Sequence, residues 1–172
     1  MSASALEACF PILCEEERIR AEGLAGDVRL RYVVSRAFRR RVLGAEAEIL
    51  LEESGRPYIK GNPVFFSISH TGGTLVMAVD AYPVGIDAEL MKERDFAKLS
   101  SWFFGERIPD RQDFYERWTC FEAGLKLAGL PLFSKAVPEP KYLYSKLLGD
   151  CMLSVASNHG IGLPLLIHSI MF

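Results

Sequence analysis

Twice along its length this chain passes from helix-patterned sequence into short runs where apolar and polar residues alternate, and that order predicts an α+β fold of helices set against small antiparallel sheets. In the first pass, GDVRLRYVVSRAFRRRVLG has apolar residues at helical spacing, with a cap at Asp27 and a glycine stop at Gly44. AEILLEESGRPYI then alternates around a Ser54-Gly55 turn, and NPVFFSISH runs into Gly72-Gly73. TLVMAVDAYPVGIDAE reads as a hairpin turning at Asp80 to Pro83, which delivers Asp87 and Glu89 to a strand end. In the second pass, MKERDFAKLSSWFF and a longer segment from Asp110 to Leu127 read as helices, the latter closed by Gly129 and Pro131. KYLYSKLL, CMLSVAS and LPLLIHSIMF follow as strands. LVMAVDAYPVGID echoes MLSVASNHGIGLP in apolar spacing, so the expectation is two similar halves, residues 1–85 and 86–172.

Composition narrows the function. A chain of 172 residues can build a substantial core without metal or disulfide staples. A formal charge of −2 leaves no electrostatic footprint for nucleic acid. Cys9, Cys14, Cys120 and Cys151 have neither zinc-site spacing nor the density of a disulfide framework, which fits free thiols in a reducing cytoplasm. MSASALEACFPILCEEE lacks the basic start of a secretory leader, and IGLPLLIHSIMF is too short for a bilayer and is interrupted by Pro164 and His168. The expectation is a cytoplasmic protein with no membrane partner.

The residues that carry chemistry are acids. Side chains two apart on a strand share a face, so Asp87 and Glu89 can share a ligand. A helix over WTCFEAGLK stacks Trp118, Glu122 and Lys126 along one stripe. Taken singly, these are a solvated strand end and an ordinary i,i+4 ion pair. Gathered by folding, three hard oxygen ligands beside a cation suggest Mg²⁺ holding a phosphate.

Other features have two readings. SISHTGG places Ser67 and Ser69 on one strand face, with His70 at the exit beside a two-glycine turn whose amides can approach a phosphate. His70 either donates to that phosphate or simply bonds the turn. A serine-hydrolase pairing of Ser69 with His70 is disfavoured, because strand neighbours point opposite ways. Arg36, Arg39, Arg40 and Arg41 form either a solvated helix face or a dock for an acidic protein. Phe114, Tyr115 and Trp118 read as core.

FFSISHTGG, PVGIDAE, WFFGE and FYERWTCFEAGLKLAGL, in this order and at these separations, resemble the phosphopantetheinyl transferases of the single-chain, two-half type. Upstream, Arg56-Pro57 is similar to the family's Gly-Lys-Pro, and GDVRLRYVVS to its first long helix, so the resemblance covers about residues 24–130. It implies a pseudo-dimer of two α+β halves with the active site at their junction, and a monomer suffices. It implies Mg²⁺ on Asp87, Glu89 and Glu122, coenzyme A as substrate held by Arg56, Ser69, His70 and Lys126, and catalysis by Glu122, Lys126 and His70. The expected reaction is attack by a serine hydroxyl of an acyl or peptidyl carrier protein on the coenzyme A pyrophosphate, releasing adenosine 3′,5′-bisphosphate. Two positions depart from the family pattern. Phe121 stands where a lysine is usual, and Glu22 stands where a basic residue is usual, with Arg18 or Arg20 as substitutes. The other readings are a homologue that binds coenzyme A or a carrier protein without transfer, and a Mg²⁺-dependent phosphatase or nuclease.

Overall fold

The computed structural model describes residues 3–61, 64–131, 134, 137–160 and 166–171, and contacts divide the chain into two compact units, one running to Ile49 and including the chain from Ile170, the other Leu50–Ser169. The first unit is helical. α1 (Ala3–Cys9) leads through a 3₁₀ turn (Phe10–Ile12) into α2 (Glu15–Glu22) and the long α3 (Gly26–Leu43). Leu30, Val33, Val34 and Ala37 recur at helical spacing and bury one stripe of α3 against Cys9, Leu13 and Ala21. Glu17, in the first turn of α2, caps that helix and ties it to α3: its Oε2 accepts from the Cys14 amide at 3.2 Å and from Arg40 Nε of α3 at 2.6 Å. The helix expected from Asp27 starts one residue earlier, at Gly26 with Ala25 as N-cap, so Asp27 lies in the first turn. There its carboxylate favours the positive end of the helix dipole.

The second unit runs from Leu50 to Ser169 and is mixed helix and antiparallel sheet. β1 (Ile49–Leu51) and β2 (Pro57–Ile59) form a short ribbon around Gly55, whose φ of 83° needs a glycine. β3 (Phe65–Thr71), β4 (Thr74–Asp80) and β8 (Leu166–Met171) make one three-stranded sheet in the order β3-β4-β8. β5 (Val84–Leu90), β6 (Tyr142–Leu148) and β7 (Cys151–Ser157) make another, in the order β5-β7-β6. Leu163 to Leu165, read as the start of the last strand, lie outside the described residues.

One sequence expectation is corrected here. β4 and β5 are not a hairpin: β4 pairs with β3, with Ser69 opposite Val76, whereas β5 pairs with β7, with Asp87 opposite Ser154. Asp80 Oδ1 accepts from the Tyr82 amide at 3.1 Å, making a turn that passes the chain from one sheet to the other. Residues 85 and 86, the expected division between halves, are consecutive in β5. The segments that echo one another in sequence are the central strands of the two sheets, β4 and β7.

Both faces of the β5-β7 pair are buried. Ile86, Ala88, Leu153 and Val155 pack with Val76 and Ala78 of β4, while Met152 packs with Phe114 and Tyr115 on the other side. Each large aliphatic side chain removed from water there stabilises the fold by about 1.5–3 kcal/mol. α4 (Phe96–Phe104) and α5 (Arg111–Ala128) follow β5. α4 starts at Phe96 rather than Met91, because the Met91 and Lys92 amides bond Asp150 O at 2.8 Å and Tyr115 Oη at 3.1 Å. Asp95 then caps the helix, accepting from the Lys98 amide. α5 is bounded by Asp110, which accepts from the Asp113 amide, and by Gly129 in the left-handed region.

α5 lies directly on β5 because Gly85 has no side chain: a Cβ there would sit 2.0 Å from Ala123 O and 2.7 Å from Leu127 N. Thr119 Oγ1 meets Ser154 Oγ of β7 at 2.7 Å and fixes the helix along its length. Among the described residues, no helix is long and apolar enough to cross a membrane.

Candidate active site

Period-two alternation along β5 puts Asp87 and Glu89 on one face, and the glycine contact brings α5 close enough for Glu122 to join them. One carboxylate oxygen from each of Asp87, Glu89 and Glu122 lies within 4.8 Å of the others. The three acids gathered by sequence reasoning are thus gathered by the fold.

Lys126 is bound differently from the i,i+4 reading. Its Nζ donates to Asp87 Oδ1 at 2.7 Å and to Ile86 O at 3.1 Å, an ion pair across α5 and β5. Asp87 Oδ1 also accepts from Ser69 Oγ at 2.7 Å. Its second oxygen, Oδ2, is buried without a hydrogen-bond partner, an arrangement that is costly unless a cation or donor meets it.

The hydroxyls of β3 hold β5 in place. Ser67 Oγ accepts from the Ile86 amide at 3.1 Å, Thr71 Oγ1 accepts from the Leu90 amide at 2.8 Å, and Thr71 donates to Glu89 Oε2 at 3.2 Å. Sequence reasoning placed Ser67 and Ser69 on one face but assigned no role to Thr71. The S-x-S-x-T alternation was the available signal: three hydroxyls on one side of a strand can serve a neighbouring strand. His70 falls between them, on the opposite side of β3, and is exposed. Tyr115 Oη closes the strand exit by bonding both the amide and the carbonyl of Lys92.

Burial and charge repulsion set the proton affinities. Burial first, and then the Asp87 charge, push Glu122 up to about 8, with Lys126 opposing and Glu89 adding to the rise. Glu89 is raised for the same reasons, against the pull of Thr71 and Lys126. Acids so raised are held together at a cost that a divalent cation removes. The donor set is all oxygen, with a free buried lone pair on Asp87, which suits a hard cation such as Mg²⁺.

Beside the acids lies a cavity of about 240 Å³ lined by Ser54, Arg56, Ser67, Lys126 and Gly129 among others. Arg56 Nη1 donates to Leu127 O at 3.3 Å, its guanidinium stacks over Phe65, and its Nη2 is buried without a partner. Two cationic side chains therefore face one pocket next to the acids. A second cavity, of about 180 Å³, joins Glu89 to Arg94, Phe103, Phe114 and Trp118. Trp118 belongs to this aromatic cluster, stacked on Phe114. Phe121 packs on Phe104 and Trp118. In the first unit, Arg18 bonds Pro11 O, Arg20 lies over the Tyr32 ring and Glu22 is exposed.

The chain matches no family model. It is similar to a 4′-phosphopantetheinyl transferase of Bacillus subtilis, 34% identical over 151 residues, 80% of this chain and 66% of that protein. The transferase psf-1 of Bacillus pumilus is 32% identical over 145 residues, 72% of this chain and 61% of that protein. The transferase AcpT of Salmonella typhi is 31% identical over 122 residues, 63% of this chain and 64% of that protein. The chain spans just under two thirds of the length of these curated relatives. By these likenesses the chain belongs to the 4′-phosphopantetheinyl transferase superfamily.

Proposed function

We propose that this chain transfers the 4′-phosphopantetheine group of coenzyme A to a serine of an acyl or peptidyl carrier protein, with Mg²⁺ and with release of adenosine 3′,5′-bisphosphate. The observation that carries this reading is the convergence of Asp87, Glu89 and Glu122 beside Lys126 and the Arg56 pocket, in a chain of this superfamily. When bound there, Mg²⁺ would neutralise charge on the pyrophosphate.

The chain's own residues supply the rest. Asp87, Glu89 and Glu122 would hold the metal. Lys126 would present its ammonium to phosphate oxygens, and the free Nη2 of Arg56 would reach the nucleotide end. Glu122 would also take the proton of the attacking serine hydroxyl. Ser69 and Thr71 orient Asp87 and Glu89. His70 would join only by donating to phosphate from the strand exit. The strand order supports the two-half reading: the β3-β4 hairpin takes β8 as its third strand, and the β6-β7 hairpin takes β5.

The test is incubation with a fluorescent coenzyme A analogue, Mg²⁺ and a panel of apo carrier proteins. A labelled carrier protein is expected, with Glu122→Ala slower by about a hundredfold or more, the scale of losing one preorganised electrostatic group. Near wild-type labelling by that variant refutes the assignment. Metal-dependent coenzyme A binding with no carrier labelled would leave a binding protein instead.

A further inference from the structure

β6 ends its sheet: in the order β5-β7-β6, one edge pairs with β7 and no described strand takes the other. An edge of this kind presents a row of amide and carbonyl groups to any strand that fits. Its side chains invite the same contact. Tyr142, Leu143, Tyr144, Leu147 and Leu148 are each 43–49% exposed, whereas the adjoining β7 is almost wholly buried. On the α5 side of the strand, Leu143 lines a groove of about 400 Å³ with Phe104, Phe121, Val137 and Pro138. Phe121, one of the two departures from the family pattern, adds an apolar ring to that groove, whose lining also includes Arg117 and Glu139.

We propose that β6 is a homodimer seam: its open edge pairs antiparallel with β6 of a second copy of this chain, about a two-fold axis through Ser145. Three arguments select a second copy. The first is register. Antiparallel partners must share a face, and centring YLYSKLL on Ser145 sets Tyr142 opposite Leu148, Leu143 opposite Leu147, and Tyr144 opposite Lys146. Apart from Ser145, which meets its own copy at the axis, every cross-strand pair is then apolar on apolar or cation on aromatic. Centring on Lys146 puts two ammonium groups against each other, and centring on Tyr144 leaves Leu148 unmatched.

The second argument is area. Five large side chains just under half exposed present roughly 450 Å² per copy, taking about 200 Å² for each full side chain. That lies in the middle of the range of about 300–600 Å² for the largest patch on a typical monomer. It is also roughly half of the ~800 Å² that each partner contributes to a standard interface. The groove beside Leu143, which the opposing Leu147 meets, supplies further apolar surface, so the expected dimer is of the smaller class. The third is closure: a two-fold pairing consumes both open edges and stops at two copies, which removes the hazard of an apolar strand edge in solution. The proposal does not rest on the transfer reaction.

Sedimentation velocity of the full chain over a range of concentrations tests it, with two variants at one exposed position. Wild type is expected to be dimeric at tens of micromolar and to dissociate on dilution. Tyr144→Lys places like charges opposite Lys146 twice per dimer and is expected to weaken association by at least about tenfold. Tyr144→Glu faces the same lysines with opposite charge and is expected to remain dimeric. Both should melt near wild type, since Tyr144 is exposed. A wild-type monomer throughout, an undiminished Tyr144→Lys dimer, equal loss in the two variants, or open-ended assembly would each overturn the proposal.

Discussion

If Glu122 must lose a proton before it can hold a metal, cation affinity should climb steeply with pH across the neutral range. The perturbation is a Mg²⁺ or Mn²⁺ titration of the coenzyme-free protein at several pH values, alongside Glu122→Gln. With Glu122 near 8, only about 1% of the protein carries the ionised carboxylate at pH 6, about a tenth does at pH 7 and half at pH 8. Affinity should therefore rise about tenfold between pH 6 and 7, about fivefold more by pH 8, and level off above that. Each cation bound at pH 7 should release about 0.9 of a proton. Glu89, raised in the same direction, steepens the acid end. Calorimetry in two buffers of different ionisation enthalpy reads both the affinity and the released proton. Glu122→Gln should bind more weakly and lose most of the slope. A wild-type affinity that is flat from pH 6 to 8, with no proton released, would refute the claim that Glu122 shares the metal with Asp87 and Glu89.

Three further outcomes follow from the same geometry. Because the folded protein raises Glu122 and Glu89, it binds more protons than the unfolded chain between their ordinary range and about 8, so cation-free stability should fall as pH rises through that window. Melting temperatures at pH 5 to 8 with a chelator, and again with saturating Mg²⁺, check this; the cation should flatten the decline. Lys126→Met leaves Asp87 buried without its partner and should cost about 2–3 kcal/mol in urea unfolding, less than a wholly buried pair because a third of the lysine is exposed. Gly85→Ala puts a methyl 2.0 Å from Ala123 O, where backbone must move, and should cost about 1–3 kcal/mol while weakening cation binding as α5 lifts.

Local chemistry in this chain was legible from local sequence. The spacing of Asp87 and Glu89, the extent of α5 and its closure at Gly129 all depend on contacts within a few residues, and the structure agrees with each. α1 and α2 went unread because helices of seven and eight residues carry too few turns to show a pattern and declare themselves mainly by packing on α3. The β4-β5 hairpin failed for a related reason. Asp-Ala-Tyr-Pro is good turn chemistry, but turn chemistry does not say which strand the chain meets afterwards. β5 pairs with β7, more than sixty residues on, and that choice depends on burying both faces of β5 at once.

The site follows from how β5 is held on its two edges. One edge pairs by backbone with β7. On the other, the amides of Ile86 and Leu90 are met by the hydroxyls of Ser67 and Thr71, so the edge is satisfied without a backbone ladder to β3. A seam bridged by side chains is wider than a ladder, and the third hydroxyl, Ser69, is left to bond Asp87. Asp87 can therefore stand buried, with Glu89 and Glu122 half-buried beside it and Lys126 linking it to the cavity that Arg56 also lines. Replacing these hydroxyls would have little effect on sheet content but would remove what orients the acids. That is why the S-x-S-x-T of β3 belongs to the candidate site as fully as the carboxylates it supports.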